Sequence, residues 1–436
     1  MKHPRNLPSR TLCLNFLCTL LLCASLGGLL ALPSAASERT EPTPDPASPW
    51  SGWRGADRSG AAALDVDWSA TGLEEKWSQE VGLGHSSPVS DGERVFVFAR
   101  RGEDEVAAAY ALETGQLLWS KSLPAPRVKV SFAARKHGKG PKATPLLTGG
   151  LLVTYGMTGI VTGWEAATGK LRFRVDLADD APTPDFGVAS SPVAATCGIV
   201  VVAGSEKDGA VVCLDAANGS TVWTHSVGAS YASPLAATFD GIEQIVHLAD
   251  AELVGLDAAT GARLWEVPYE RSGYAQNEAT PLLLGGDVLV AGEKRPTHRL
   301  AVTRSASGWS ADVIWSAEET APEMSSPVPS GDLVVVHSHL RKGSMLALDA
   351  STGSIVWQGD ARYGEHSSLV ALGDRHVLSL RSEGELVVFE RDGNELREVL
   401  RREVAPSPTW AHPLVTNRGL WVKDLDRLRF LAFSPR

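Results

Sequence analysis

Cysteine is scarce in this chain. Of the five, Cys13, Cys18 and Cys23 fall in one apolar N-terminal run, which leaves only Cys197 and Cys213 beyond it. The two are neither adjacent nor spaced as zinc ligands, so a zinc site is excluded. They read as two buried thiols on neighbouring strands, or as a disulfide in an oxidising compartment. Positive charge is short as well: 41 Lys and Arg face 51 Asp and Glu, a net charge of −10, and three of those cations, Lys2, Arg5 and Arg10, belong to the N-terminal run. So acidic a body argues against nucleic acid as a partner. After Leu32 no apolar run approaches the ~20 residues that cross a bilayer. There is no G-x-S-x-G elbow and no phosphate loop. The paired carboxylates of "DVDW" from Asp65 and "DLADDAPTPD" from Asp176 lack the glycine-centred spacing of a calcium loop, and no metal site is expected.

What precedes the body is a leader. Lys2, Arg5 and Arg10 are followed by apolar residues from Leu12 to Leu32 and then by "PSAAS". This is the pattern of an export signal cut after Ala36, giving a periplasmic or secreted protein; uncut, the same run would be a membrane anchor. Cys23 follows Leu22, where lipoprotein processing wants a small residue. "ERTEPTPDPASP" from Glu38 is proline-rich and reads as an extended tether. The expected organisation is therefore a signal peptide over 1–36, a tether and N-terminal extension over 37–75, and one large domain over 76–434.

That domain is repetitive. "HSSPV" from His85 returns as "ATPLL" from Ala143, "SSPVA" from Ser190, "ASPLA" from Ala232, "ATPLL" from Ala279, "SSPVP" from Ser325, "SSLVA" from Ser367 and "AHPLV" from Ala411. A second phrase recurs between them: "LDAANGSTVW" from Leu214, "LDAATGARLW" from Leu256 and "LDASTGSIVW" from Leu348, with weaker versions "LETGQLLW" from Leu112 and "WEAATGKLRF" from Trp164. Gly219, Gly261 and Gly353 supply the positive φ of a tight reversal. Trp119, Trp223, Trp265, Trp315 and Trp357 begin an outer strand, with Phe173 filling one slot, and such a ring wedges between neighbouring sheets. A period of ~40–50 residues with four strand-like segments predicts propeller blades. Eight small-small-Pro runs predict eight four-stranded antiparallel blades in an all-β fold. The last unit ends a strand short, and "EEKWSQEV" around Trp77 is expected to complete it and close the ring.

The residues just before each small pair should share one place on the channel mouth: His85, Lys142, Ala189, Tyr231, Glu278, Met324, His366 and Trp410, with Asn277, Glu323 and Glu365 one step back. Aromatics to stack, carboxylates to bond hydroxyls or cations, and imidazoles make this a candidate ligand site, although a wet mouth is polar in any case. The loop opening the second blade is long and basic, with Arg127, Lys129, Arg135, Lys136, His137 and Lys139, and suggests an anionic or acidic partner. His337 and His339 alternate onto one strand face, as a metal pair or as ordinary strand histidines.

The A-L-D-A-x-T-G-x-x-x-W phrase, with the opening "WSGWRGADRSG" from Trp50, resembles the repeat of the PQQ-like β-propeller superfamily, most closely that of secreted bacterial proteins with PQQ-binding-like repeats. The superfamily includes quinoprotein alcohol dehydrogenases and BamB of outer-membrane barrel assembly. The resemblance implies a quinoprotein-like fold over roughly residues 50–433 and leaves function open. The dehydrogenase pattern of two adjacent cysteines over PQQ is missing here, and no residue matches a calcium ligand by motif. The reading is a BamB-like, monomeric binding or scaffold module of the cell envelope, with an envelope protein or a small polar or anionic ligand as partner and no cofactor. A PQQ-dependent oxidoreductase, or a sugar-acting enzyme at the mouth, is the alternative.

Overall fold

Strands of two to ten residues, broken by glycine turns, cannot bury both faces of one sheet, so the repeats pack against each other. In the computed structural model, which describes residues 50–125, 133–178, 184–270 and 276–436, they form eight antiparallel sheets in chain order. The leader, the proline-rich stretch, and Arg127 and Lys129 lie outside the described residues. Blade 1 runs from Val89 to Pro124, blade 2 from Leu146 to Asp176, blade 3 from Val193 to Ser226 and blade 4 from Leu235 to Pro268. Blade 5 spans Leu282–Ala317, blade 6 Val328–Gln358 and blade 7 Ser367–Glu403. Blade 8 takes three strands from Leu414–Pro435 and its outer strand, Thr71–Glu80, from the other end of the chain, with Trp77 opposite Phe430. The ring is closed by this pairing, as expected.

The glycine and the aromatic of the repeat turn out to be two halves of one contact. A Cβ on Gly115, Gly169, Gly219, Gly261 or Gly353 would strike the ring of Trp77, Trp119, Phe173, Trp223 or Trp315 of the preceding blade at 2.4–2.6 Å. Each of these glycines also has φ between +67° and +77°, so both space and backbone demand glycine. The indole N–H of Trp119, Trp223 and Trp315 then donates to the carbonyl of Ala166, Ala258 and Ala350 in that next blade, at 3.0, 3.1 and 3.0 Å. Blade 5 lacks the phrase, and Trp265 accordingly turns to its own blade: its N–H reaches Gln244 Oε1 at 2.7 Å. Trp357, before blade 7, which also lacks it, meets Phe389 edge-on at 6.5 Å.

The small-small-Pro run carries more than small size. Its hydroxyls form a belt around the axis: Thr144 Oγ1 accepts from Ser87 N at 3.2 Å, Ser191 Oγ from Thr144 N at 2.9 Å and Ser233 Oγ from Ser191 N at 2.9 Å. Ser326 Oγ accepts from Thr280 N at 3.0 Å, and Ser87 Oγ from His412 N at 2.8 Å. Each bond satisfies a buried donor and ties one blade to the next.

Cys197 and Cys213 correct the expectation of two free thiols. They form a disulfide with Cα atoms 6.4 Å apart. Strand register pairs Val200 with Cys213, so Cys197 sits at the turn just before the second strand of blade 3 and its sulfur reaches diagonally across. The bridge closes a loop over a separation of 16 residues, for which chain entropy predicts about 3 kcal/mol. Reduction should lower the unfolding free energy read from urea denaturation by about that amount, and reductant should leave the Cys197→Ser, Cys213→Ser double variant unchanged.

The axis is filled by the chain itself. Trp50 O accepts from Ser90 N at 2.8 Å and Ser51 O from Leu147 N at 2.7 Å, both deep on the innermost strands. The segment then climbs: Trp53 Nε1 donates to Thr280 Oγ1 at 2.8 Å, near the mouth. After Arg58 it descends, and Ala61–Ala62 adds a parallel strand beside Ala371–Leu372 of blade 7. Two guanidinium groups lock this plug. Arg54, 1% exposed, donates to Ser59 O at 2.8 Å and to Pro327 O. Arg58, 4% exposed, donates to Pro234 O at 2.6 Å, to Ser191 O at 3.3 Å and to Pro192 O. The proline carbonyls that start the innermost strands are thus satisfied by the plug. Burial pulls both guanidinium pKa values down to about 9, leaving them charged at neutral pH.

Candidate functional site

The blade-opening loops meet above the plug in one cavity of about 790 Å³. All eight ring positions line it: His85, Lys142, Ala189, Tyr231, Glu278, Met324, His366 and Trp410. Equivalent places in the eight repeats become neighbours around one axis, so sequence register alone brings them together. Glu323 also lines the cavity. Glu365 does not; it is exposed on the rim, where its charge acts on His366 and His137. Asn277 is buried and structural, its Nδ2 donating to Ala249 O and, at 3.1 Å, to Asp250 O. The floor is Trp53 of the plug.

The basic loop divides. Arg135, Lys136 and Lys139 are exposed, but His137 turns inward and lines the cavity. A short 3-10 turn, Ala133–His137, delivers its ring 4.9 Å from the ring centre of Trp410, edge-on. His366 lies 4.7 Å from Trp410 on another side, and His85 at 6.3 Å. Phe186 meets Tyr231 edge-on at 5.7 Å and so extends this aromatic wall toward blade 4.

Burial keeps the imidazoles neutral. It lowers His85 to about 3 and His137 and His366 to about 4. His85 Nε2 is 3.0 Å from the carbonyl oxygen of His137, so that nitrogen carries the proton and Nδ1 holds a bare lone pair. Nδ1 of His85 has no hydrogen-bond partner, and neither has Nδ1 of His366. The Lys142 ammonium donates to Phe186 O at 2.7 Å, and burial lowers it to about 8.

The opposite wall is acidic. Glu278, Glu293 and Glu323 line it together. Glu278 Oε2 is hidden from water and without a partner, and desolvation, then the charges of Glu323 and Glu293, push its carboxyl up to about 8. Glu323 is raised by burial and by Glu293; its Oε2 is 3.9 Å from His366 Nδ1. Glu293 pairs with Lys294 at 2.8 Å. Glu293 and Trp53 are among the lining residues that the repeat could not reveal, with Asp185 and Phe186, since they lie on a hairpin, on the plug and on the loop before blade 3, off the repeat register.

His337 and His339 do not act together. His337 is buried with Nδ1 3.4 Å from Ser325 Oγ, whereas His339 has Nδ1 2.7 Å from Ala321 O. Among the described residues no group of three or more His, Cys, Asp or Glu is arranged to hold a metal ion.

A family profile described as "Outer membrane protein assembly factor BamB" matches residues 103–359. Solved structures give the same fold. BamB from Moraxella catarrhalis superposes with a TM-score of 0.62 at 17% identity, covering 83% of this chain and 98% of its own. The quinohemoprotein alcohol dehydrogenase of Comamonas testosteroni gives 0.64 at 13% identity, covering 88% and 80%. The alcohol dehydrogenase ADHIIG of Pseudomonas putida HK5 gives 0.64 at 12%, covering 89% and 80%. No curated protein sequence matches the chain at a significant level.

Proposed function

Because this chain belongs to the family described as outer membrane protein assembly factor BamB, we propose that it is an exported binding module of the cell envelope and that the mouth cavity holds its ligand. One observation carries this reading. Eight blade-opening loops and the plug converge on one cavity whose walls hold buried polar atoms without a hydrogen-bond partner, Nδ1 of His85 and of His366 and Oε2 of Glu278. Unmatched buried polar atoms are costly to a fold, and a bound ligand that pairs with them offsets that cost.

The rival reading is quinoprotein catalysis, and the residues do not suit the cofactor. PQQ is a flat o-quinone bearing three carboxylates. Here it would face the carboxylates of Glu278, Glu293 and Glu323. The two cysteines are bonded to each other on blade 3 and do not border the cavity.

The test places a photocrosslinking amino acid at position 410, on the cavity wall, and at position 313, where Val313 is exposed on an outer strand. In intact cells, position 410 should give an adduct that position 313 does not, and His85→Ala with His366→Ala should remove it. No adduct from 410 overturns the proposal. So does reduction of an artificial dye by the purified protein once PQQ and calcium are added.

A further inference from the structure

The two walls of the cavity differ in kind, and the difference names a class of ligand. On one side stand Glu278, Glu293 and Glu323; on the other, Trp410, Phe186 and Tyr231 with the rings of His85, His137 and His366. The groups facing Glu278 are Glu323, Glu293 and Arg295, and Glu293 has Lys294 at 2.8 Å and His339 at 4.0 Å. The cation on the aromatic side, Lys142, already bonds Phe186 O. Two of the unpartnered atoms belong to side chains that are themselves buried: Nδ1 of His85, 9% exposed, which holds a bare lone pair, and Nδ1 of His366, 5% exposed. The third is Glu278 Oε2. A site rich in acceptors, edged by carboxylates and walled by aromatic faces attracts a positive donor.

We propose that the mouth takes an organic cation, with an ammonium or guanidinium head against Glu278, Glu293 and Glu323 and an apolar body along Trp410, Phe186 and Tyr231. This rests on reading the mouth as the ligand site. The head satisfies Glu278 Oε2, and the carboxyl gives up its proton when the head arrives. The same chemistry is carried by a free amine and by a lysine or arginine side chain on a partner protein.

Calorimetric titration near neutral pH tests it with four probes: 2-phenylethylamine, a capped Phe-Lys-Phe tripeptide, phenylacetate and cellotriose. The amine or the tripeptide should bind, and phenylacetate, the same shape with opposite charge, should not. The heat should vary with the ionisation enthalpy of the buffer, because Glu278 releases a proton. Glu278→Gln should abolish that release and weaken binding by about tenfold or more while the melting temperature holds or rises. Binding of the tripeptide alone points to a protein segment as the natural ligand, and binding of the amine alone to a small metabolite; either supports the class. Binding of phenylacetate or cellotriose without the amine overturns the class and leaves the mouth reading intact. Failure of both cationic probes at millimolar concentration overturns it too. An amine that binds regardless of Glu278→Gln and Trp410→Ala lies elsewhere and overturns this assignment, while the crosslink from position 410 decides the mouth reading independently.

Discussion

Lowering the pH from 6.5 to about 4 should cost this protein much of its stability. Among the buried histidines are His85, His137, His247, His337, His366 and His412, each no more than 9% exposed. Burial sets His85 at about 3 and the other five at about 4, against 6.5 in the unfolded chain. Within this window the unfolded chain takes up protons that the folded one refuses, so stability falls as the pH falls. Each ring contributes on the order of 1–3 kcal/mol that is fully present above pH 6.5 and gone near the folded value. Glu278 acts in the opposite sense. Its folded pKa is raised to about 8 from 4.5, so it favours the folded state at low pH and loses that contribution as the pH rises to 8. Glu105 and Glu323 are raised by burial in the same sense as Glu278, but these carboxyls do not outweigh the buried imidazoles, among which His376 is lowered as well. Urea denaturation at pH 5 and at pH 7 measures the difference, and His247→Leu should flatten the acid limb by a single ring's share. Equal stability at the two pH values would show that these rings are not held neutral.

The second large effect is at Arg58. Its guanidinium bridges the carbonyls of Pro192 and Pro234, which begin the innermost strands of adjacent blades. Arg58→Ala removes the charge but leaves those carbonyls buried and unpaired around a hole, and the expected loss is about 3–5 kcal/mol. Arg58→Lys keeps a cation yet cannot span both carbonyls, so about half of that loss is expected. Arg58→Met fills the space without donating, and separates hydrogen bonding from packing. Equilibrium urea unfolding of the three variants decides. A neutral Arg58→Met would mean that the plug is held by shape alone. Since Trp53 of the same segment floors the cavity, Arg58→Ala should also weaken mouth binding.

The architecture was legible because repeats state it many times over. Glycine, then an aromatic four residues later, specifies a turn and a wedge, and eight small-small-Pro runs count the blades. Register then carried the ring from His85 to Trp410 onto one cavity without knowledge of any contact. The plug was not legible. "WSGWRGADRSG" has no strand alternation, and nothing in it marks its two arginines as buried until a ring of proline carbonyls exists to receive them. His137 was assigned to a basic partner loop because its neighbours Arg135, Lys136 and Lys139 set the local character; only the fold shows that its ring turns toward Trp410. The disulfide stayed open between two readings because Cys197 and Cys213 are offset in register, and a diagonal reach depends on how the turn before Gly198 is shaped.

The plug has a bearing on how the molecule is mounted. Trp50, where the described chain begins, and Ala62, where it leaves the axis, both lie at the end of the channel away from the cavity. Trp50 therefore sits on the side of the propeller facing away from the cavity. A fusion partner, a leash or an immobilising surface linked through that end would leave the open side turned outward, and only a cut that removes Trp53 itself would take the bottom out of the bowl.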